Sequence, residues 1–543
     1  MDKSDSKFAK WMPLVVLSSA LMIIIIDTTV LNVSIEQMVG DLNTNVKGIQ
    51  WVISSYALTL AALTVTGGRL GDLFGRKKMF ITGAILFALG SLVTSFAPTI
   101  AWVIFGNALV EGVGAALMMP ATSSLLVSTY SGRERAFAFS VWGSIAASAA
   151  AIGPVLGGFL TTTYSWRWAF RINLFVVAFL LIGAKYIKES RDKGHKIELD
   201  FIGILLSSVG LASLVYGVIE SSGYGWWIAT RNFAVFGYRF MPFGLSITPI
   251  AIFAGVSLIV LFLQYEKKHE EGGHIPLVSL GLFQNHQFRG GVFTTMVLGM
   301  GQSGLVFVIP IFYQAVKGYD AFHTGLGMLP VSIAVLVGAP VSLQLTKKLT
   351  PKRMIQIGFV TSTLGLTLLF FALDVNATVF DLAPGMFLYG LGMGFGFINL
   401  SNMTLSAVRV SQSGEASGVN NTIRQVGASF GAAIIGAALL VTLSSNAITN
   451  IQDSKVIPQT AKSSIVKHIE EQGSNVEFQA AEKPIAPPVI QKEINSSINK
   501  ATVDAGKRAL LLIILFSSIA LLFSTVLPNI KDLEANAKEA AVH

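Results

Sequence analysis

The side chains of this 543-residue sequence that could do chemistry are carboxylates and arginines set inside long apolar runs. Asp27 interrupts the first run and Glu111 the fourth, while Arg171 and Arg424 are cations at similar depth in the sixth and thirteenth. Charge inside hydrocarbon is costly and is kept for work, so these four residues form the first functional hypothesis. A carboxyl group in a low-dielectric cavity disfavours its bare anion unless a cation stands close. Asp27 and Glu111 are therefore candidates to exchange protons and to answer substrate, with Arg171 and Arg424 as charge partners. The competing reading makes all four satisfied structural ion pairs. A further carboxylate, Asp72, closes the second run within Gly68-Arg69-Leu70-Gly71-Asp72-Leu73-Phe74-Gly75-Arg76-Lys77-Lys78. The glycines permit a tight turn, and Asp72 can pair with Arg76 or meet the positive end of a neighbouring helix. Gly68, Asp72, Gly75 and Arg76 thus read as a conformational latch. The sequence has no cysteine, which excludes disulfides and thiolate metal sites. No metal or cofactor is expected.

The elements that must hold these groups are membrane helices. An apolar share of 52% against 13% charged residues excludes an ordinary soluble globule. A mean hydropathy of +0.64 agrees with this. Apolar runs fall at about 11–34, 49–68, 79–97, 101–128, 136–160 and 168–187, then 200–219 and 240–264, then 290–315, 322–346, 354–373, 380–406, 416–444 and 508–528. The expected architecture is all-α and integral to the membrane, fourteen spans arranged as six, two and six. The domains would be 1–190, a linker with two extra helices at 191–275, and 276–543 with a long outer connection at about 446–507. Pro242 and Pro249 make 240–264 the least regular of the runs. Basic residues cluster in alternate short connections, at Arg76, Lys77 and Lys78, at Arg133 and Arg135, at Lys185 to Lys196, at Lys267 and Lys268, and at Lys347 to Arg353. By the positive-inside rule both termini are cytoplasmic. The net charge of +9 forms no continuous basic face, so nucleic acid is not an expected partner.

Three motifs carry a resemblance. The loop at 68–78 resembles the signature loop of the major facilitator superfamily. Gly153-Pro154-Val155-Leu156-Gly157-Gly158 is similar to the Gly-Pro-x-x-Gly-Gly element of that superfamily's antiporters, and Asp27-Thr28-Thr29-Val30-Leu31-Asn32 to the aspartate motif of its fourteen-helix drug:proton branch. Residues 415–431 resemble that branch's penultimate helix. The resemblance implies a major facilitator fold of two six-helix bundles plus two inserted helices, in a bacterial-type inner membrane, working as a monomer with protons and a small molecule as its partners. The fourth span departs from the family: Asn107 stands where the family has arginine, and Glu111 where it has glutamine. Arg171 is expected to restore the missing positive charge from another helix. The second-bundle counterpart of the signature loop, 338–353, has no aspartate, so the latch is expected to be asymmetric.

Tyr56, Met118, Trp142, Phe307, Tyr313, Tyr389 and Phe397 are candidate lining for a pocket that takes flat apolar cations, through packing and cation–π attraction. Each alone is more readily explained as core or lipid-facing. The function that follows is proton-coupled multidrug export by alternating access; the alternative is transport of one endogenous metabolite or lipid on the same scaffold. Gly390-Leu391-Gly392-Met393-Gly394 superficially resembles a nucleotide loop, but it lies inside an apolar span and reads as helix packing, so no enzymatic activity is expected.

Overall fold

The computed structural model describes residues 3–44, 46–191, 200–229, 233–235, 238–239, 244–274, 276–346, 348–409, 412–472 and 487–529. Lys193, Lys196, Pro242, Lys347 and the stretch 473–486 of the long connection lie outside the described residues. The chain is helical almost throughout. Its long helices are α1 Lys3–Val33, α2 Val46–Phe74, α3 Arg76–Ser95, α4 Ile100–Thr129, α5 Gly132–Thr163, α6 Arg167–Gly183, α7 Phe201–Tyr224, α8 Ile247–Glu271, α9 His286–Val316, α10 Leu329–Leu345, α11 Pro351–Ala372, α12 Val379–Leu405, α13 Ser413–Asp453 and α14 Pro488–Thr525. Among the described residues, twelve spans are long and apolar enough to cross a membrane, α7 and α8 among their helices. The other two, α5 with 32 residues and α12 with 27, exceed the length a crossing needs. Both are rich in small residues, which lowers their hydropathy. The described residues hold strand only at Ala234–Val235 and Tyr238–Arg239, a short antiparallel pair between α7 and α8.

Two apolar cores organise the bundle. One gathers Val16, Leu17, Phe80, Phe87, Phe139 and Val177 among α1 to α6; the other gathers Val308, Phe359, Leu369, Met386, Leu439 and Leu510 among α9 to α14. Contacts of α2 and α4 with α13, and of α5 with α10, join the two sets. Helices α7 and α8 lie against each other, and α7 also touches α2 and α13.

Small residues set these approaches, because helices in lipid gain by close packing rather than by hydrophobic exclusion. A Cβ at Gly114 would stand 2.5 Å from the Phe87 amide and 2.6 Å from the Gly83 carbonyl, so α3 and α4 meet backbone to backbone. The glycines of the suspected nucleotide loop have the same task. Gly390 faces the Val331 carbonyl at 2.4 Å and Gly392 the Gly358 carbonyl at 2.4 Å, which presses α12 onto α10 and α11.

One expectation needs correction. The eighth helix begins at Ile247, several residues later than its apolar run, because Ser246 caps it and Pro249 fits only the first turn, where an amide is not needed. The described residues of the long connection at about 446–507 are mostly helix: α13 runs on to Asp453, α14 starts at Pro488, and Gln459–Gln472 forms a helix between them. Ile451, Ile457, Ile465, Ile494 and Ile498 are buried together there. The polar composition of this stretch hid a helical register that spaces those isoleucines onto one inner face.

Gly114→Val should lower the melting temperature of the detergent-solubilised chain, at a cost of about 1–3 kcal/mol, because the facing atoms are backbone and cannot turn aside. Gly40→Ala, which meets nothing within 4 Å, is the control and should leave it unchanged. Equal melting temperatures for the two variants would show that α3 and α4 separate freely.

Candidate functional site

Four helices converge on a buried polar cluster. Asp27 comes from α1, Ser91 from α3, Asn107 and Glu111 from α4 and Asn173 from α6, and none of them is more than 3% exposed. The Asn107 amide donates to Asp27 Oδ2 at 3.0 Å and to Glu111 Oε2 at 3.4 Å. Asn173 Nδ2 lies 3.2 Å from Asp27 Oδ1, 3.2 Å from Glu111 Oε1 and 3.0 Å from Ser91 Oγ, and the Ser91 hydroxyl donates to Glu111 Oε1 at 2.7 Å. Two carboxyl groups are thus bridged by the same two neutral amides. No lysine or arginine reaches either of them among the described residues. Asn107 Oδ1 and the Tyr56 hydroxyl, both buried nearby, have no partner among the described residues. A proton arriving at the pair, or a substrate donor, would find acceptors ready.

The backbone is built to make room for this pair. Ile104–Glu111 is a π-helical segment of α4, a widened turn that is common where a helix carries function. Gly90 of α3 is pressed onto it, since a Cβ there would lie 2.4 Å from the Glu111 amide and 2.5 Å from the Gly106 carbonyl. Counting from the Lys10–Glu134 pair, Asp27 lies about 25 Å along α1, in the half of the helix far from that pair.

The positive charge expected beside Glu111 is absent. Arg171 turns the other way, its guanidinium 5.5 Å from the Phe96 ring and 5.3 Å from Trp168. Asn173 reaches the carboxylates instead. Residues two apart on a helix point about 200° apart, so helix phase puts Asn173 and not Arg171 at the carboxylates. Arg424, on α13, is not part of the cluster either.

A second constellation closes the other end of α2. Arg76 donates to Asp72 Oδ1 through Nε at 2.9 Å and Nη2 at 2.7 Å, and Nη1 donates to Ser190 Oγ at 3.0 Å. Asp72 Oδ2 accepts the Glu415 amide at 2.8 Å, in the first turn of α13. Asp72 therefore makes both contacts its sequence allows. Gly68 brings α2 within reach, as a Cβ there would lie 2.4 Å from the Gly414 carbonyl. Gly75 has φ +111, and its lack of a side chain leaves space for the Glu189 carboxylate, which caps α3 at the Lys77 and Lys78 amides. Glu415, in the first turn of α13, is buried here. It accepts from Ser279 and faces Arg69 at 3.9 Å. The signal was the run Ser413-Gly414-Glu415-Ala416-Ser417-Gly418, small enough for α13 to lie on α2. Above it the Ser123 and Ser417 hydroxyls are hydrogen-bonded, joining α4 to α13.

The glycine element of α5 packs on α1. A methyl group at Gly153 would overlap Thr29, one at Gly157 would meet Val30 at 2.9 Å, and Gly158 is buried beside them, with Pro154 in the same helix. The aromatic candidates do not share one wall. Tyr56 stands near the carboxylates, and Met118 fills the space between α3 and α4 at Gly83. Tyr313 and Tyr389 are buried in the second core, Tyr313 against Met386. Trp142 belongs to the first core, Phe397 borders both cores near Gly143, and Phe307 lies on α9. Composition gave no phase for these side chains, so core and cavity looked alike.

A bundle of membrane helices with carboxylates in its interior and a charge-clamped turn between two of its helices is the layout of a transport protein. The sequence profile of the Major Facilitator Superfamily matches residues 17–264 and 201–432, and the chain belongs to that family. It is 30% identical over 446 residues to a puromycin resistance protein of Streptomyces alboniger, covering 81% of this chain and 82% of that protein. It is 28% identical over 453 residues to a probable actinorhodin transporter of Streptomyces coelicolor, covering 82% and 75%. In fold it resembles the proton:xylose symporter XylE, with a TM-score of 0.58 at 12% identity over 97% of this chain and 99% of that one.

The clamp makes a direct prediction. Ser417→Cys, the sole thiol in a chain without cysteine, should be protected from a water-soluble maleimide, and adding Asp72→Asn should speed its labelling about tenfold, as expected for losing a charged hydrogen bond. Equal labelling in both backgrounds would show that Asp72 does not hold α13 on α2.

Proposed function

We propose that this chain exports small hydrophobic or cationic compounds in exchange for protons by alternating access, with Asp27 and Glu111 as the exchanging groups. The observation that carries the reading is the buried pair of carboxyl groups served only by neutral amides and a hydroxyl. An ion pair made for stability alone would contain a cation. This one leaves the place of the cation to a proton. Several relatives carry names that refer to resistance or export, for puromycin, methylenomycin A and tetracenomycin C, and such chemical spread supports a permissive exporter over a carrier of one metabolite or lipid. Asp72, Arg76 and the start of α13 form the cytoplasmic latch in this reading, with both termini on that side of a bacterial-type inner membrane and the monomer as the working unit. In this reading the domains are 1–190, 191–275 with α7 and α8, and 276–543.

The test uses proteoliposomes with an imposed proton gradient and a cationic dye. The parent chain should accumulate dye against its gradient. Asp27→Asn should bind the dye more weakly and lose uphill transport, while Glu111→Gln should keep binding and shift the pH dependence of transport. If both variants pump uphill with the parental pH profile, the two carboxylates are structural.

A further inference from the structure

Arg424 is the deep cation that no part of the scheme above uses. It lies on α13 about 16 Å beyond the helix start at Ser413, near the middle of a bilayer. The residue sits deep in the protein. It nevertheless keeps part of its accessible surface, so it borders an internal space rather than close-packed core. Among the described residues its guanidinium has no ion pair, hydrogen bond or ring contact. The carboxylates of the neighbouring spans are engaged elsewhere: Asp72 by Arg76, Glu415 by Ser279 and Arg69, and Asp27 and Glu111 by Asn107 and Asn173. A bare guanidinium at that depth is expensive and calls for a negative partner.

The surroundings indicate what kind of partner. One turn earlier on the same helix face, Asn420 is 5% exposed and its Oδ1 has no hydrogen-bond donor. Helix α13 cannot roll to hide these two groups. Gly427 and Gly431 hold it on α9, where a Cβ would come within 2.1 Å of the Met296 carbonyl and 2.2 Å of the Met300 carbonyl. A planar fork of donors and an adjacent lone acceptor suit an acidic group, with a hydroxyl or amide donor next to it, on an otherwise apolar molecule.

We propose that Arg424, with Asn420, forms an anchor for small amphiphiles carrying one acidic group, a substrate class separate from the cations answered by Asp27 and Glu111. Calling that ligand a substrate rests on the export reading above. Carboxylates in the first bundle and a guanidinium in the second would give one internal space two poles. Cations and acids would then bind in different places within it.

The experiment measures binding without any gradient. Full-length chain in lipid nanodiscs is titrated at pH 8 with 11-(dansylamino)undecanoic acid and, separately, with its methyl ester, and empty nanodiscs are subtracted. The parent chain should bind the acid at least about tenfold more tightly than the ester, the factor expected for one charge-assisted hydrogen-bonded pair. Arg424→Gln should remove that preference and leave the ester unchanged, and Arg424→Lys, which keeps the charge without the fork, should retain part of it. Should the glutamine variant fail to fold, the lysine variant must still weaken the acid more than the ester. Equal binding of acid and ester by the parent, or equal loss of both in the variants, overturns the inference. A chain that pumps a cationic dye uphill yet shows no acid preference overturns this inference and leaves the export reading standing. An Arg424-dependent acid preference in a chain that pumps nothing uphill supports the anchor and overturns export.

Discussion

The structure turns on the cost of keeping two carboxyl groups inside a membrane bundle without a cation. Asp27 and Glu111 are held by amides and a hydroxyl, which supply directed donors and no compensating charge. Neutral donors satisfy geometry and leave the charge balance open. The glycine contacts of α3, the widened turn of α4 and the close approach of α5 to α1 serve to bring four helices near enough for this cluster to form.

The opposite arrangement occurs at the other end of α2. Asp72 has a bidentate arginine and the amide of a helix N-terminus, and is fully compensated. One carboxylate is paired with a cation, and the other two are held by neutral donors alone. Helix α4 spans the distance between the two regions, carrying Asn107 and Glu111 in one half and Ser123, hydrogen-bonded to Ser417 of α13, in the other. The far end of α4 thus rests on the same helix that Asp72 holds.

Much of this was legible from residue order. Long apolar runs specify membrane helices almost without alternative, and Asp27, Glu111 and Asp72 are conspicuous because intramembrane charge is rare. What the sequence could not convey was helix phase and partner identity. Asn173 and Ser91 are ordinary polar residues in apolar helices, indistinguishable from packing residues until α3, α4 and α6 are brought together. Arg171 stands out by its charge, and charge does not say which way a side chain faces. A place at a helix end gives no sign that Glu415 is buried, and here that end lies against α2. The long connection at about 446–507 was only partly legible: its isoleucines sit at helical spacing among so many polar residues that average hydropathy masks them.

The most direct measurement of proton exchange at the cluster needs no membrane. Purified chain in weakly buffered detergent solution, with a pH indicator dye, is mixed with a saturating cationic substrate. If Asp27 and Glu111 trade protons for substrate, the parent chain will acidify the solution on binding, and Asp27→Asn will bind the remaining substrate without doing so. Binding by the parent with no proton release, or the same release from the variant, would contradict a carboxylate-based exchange.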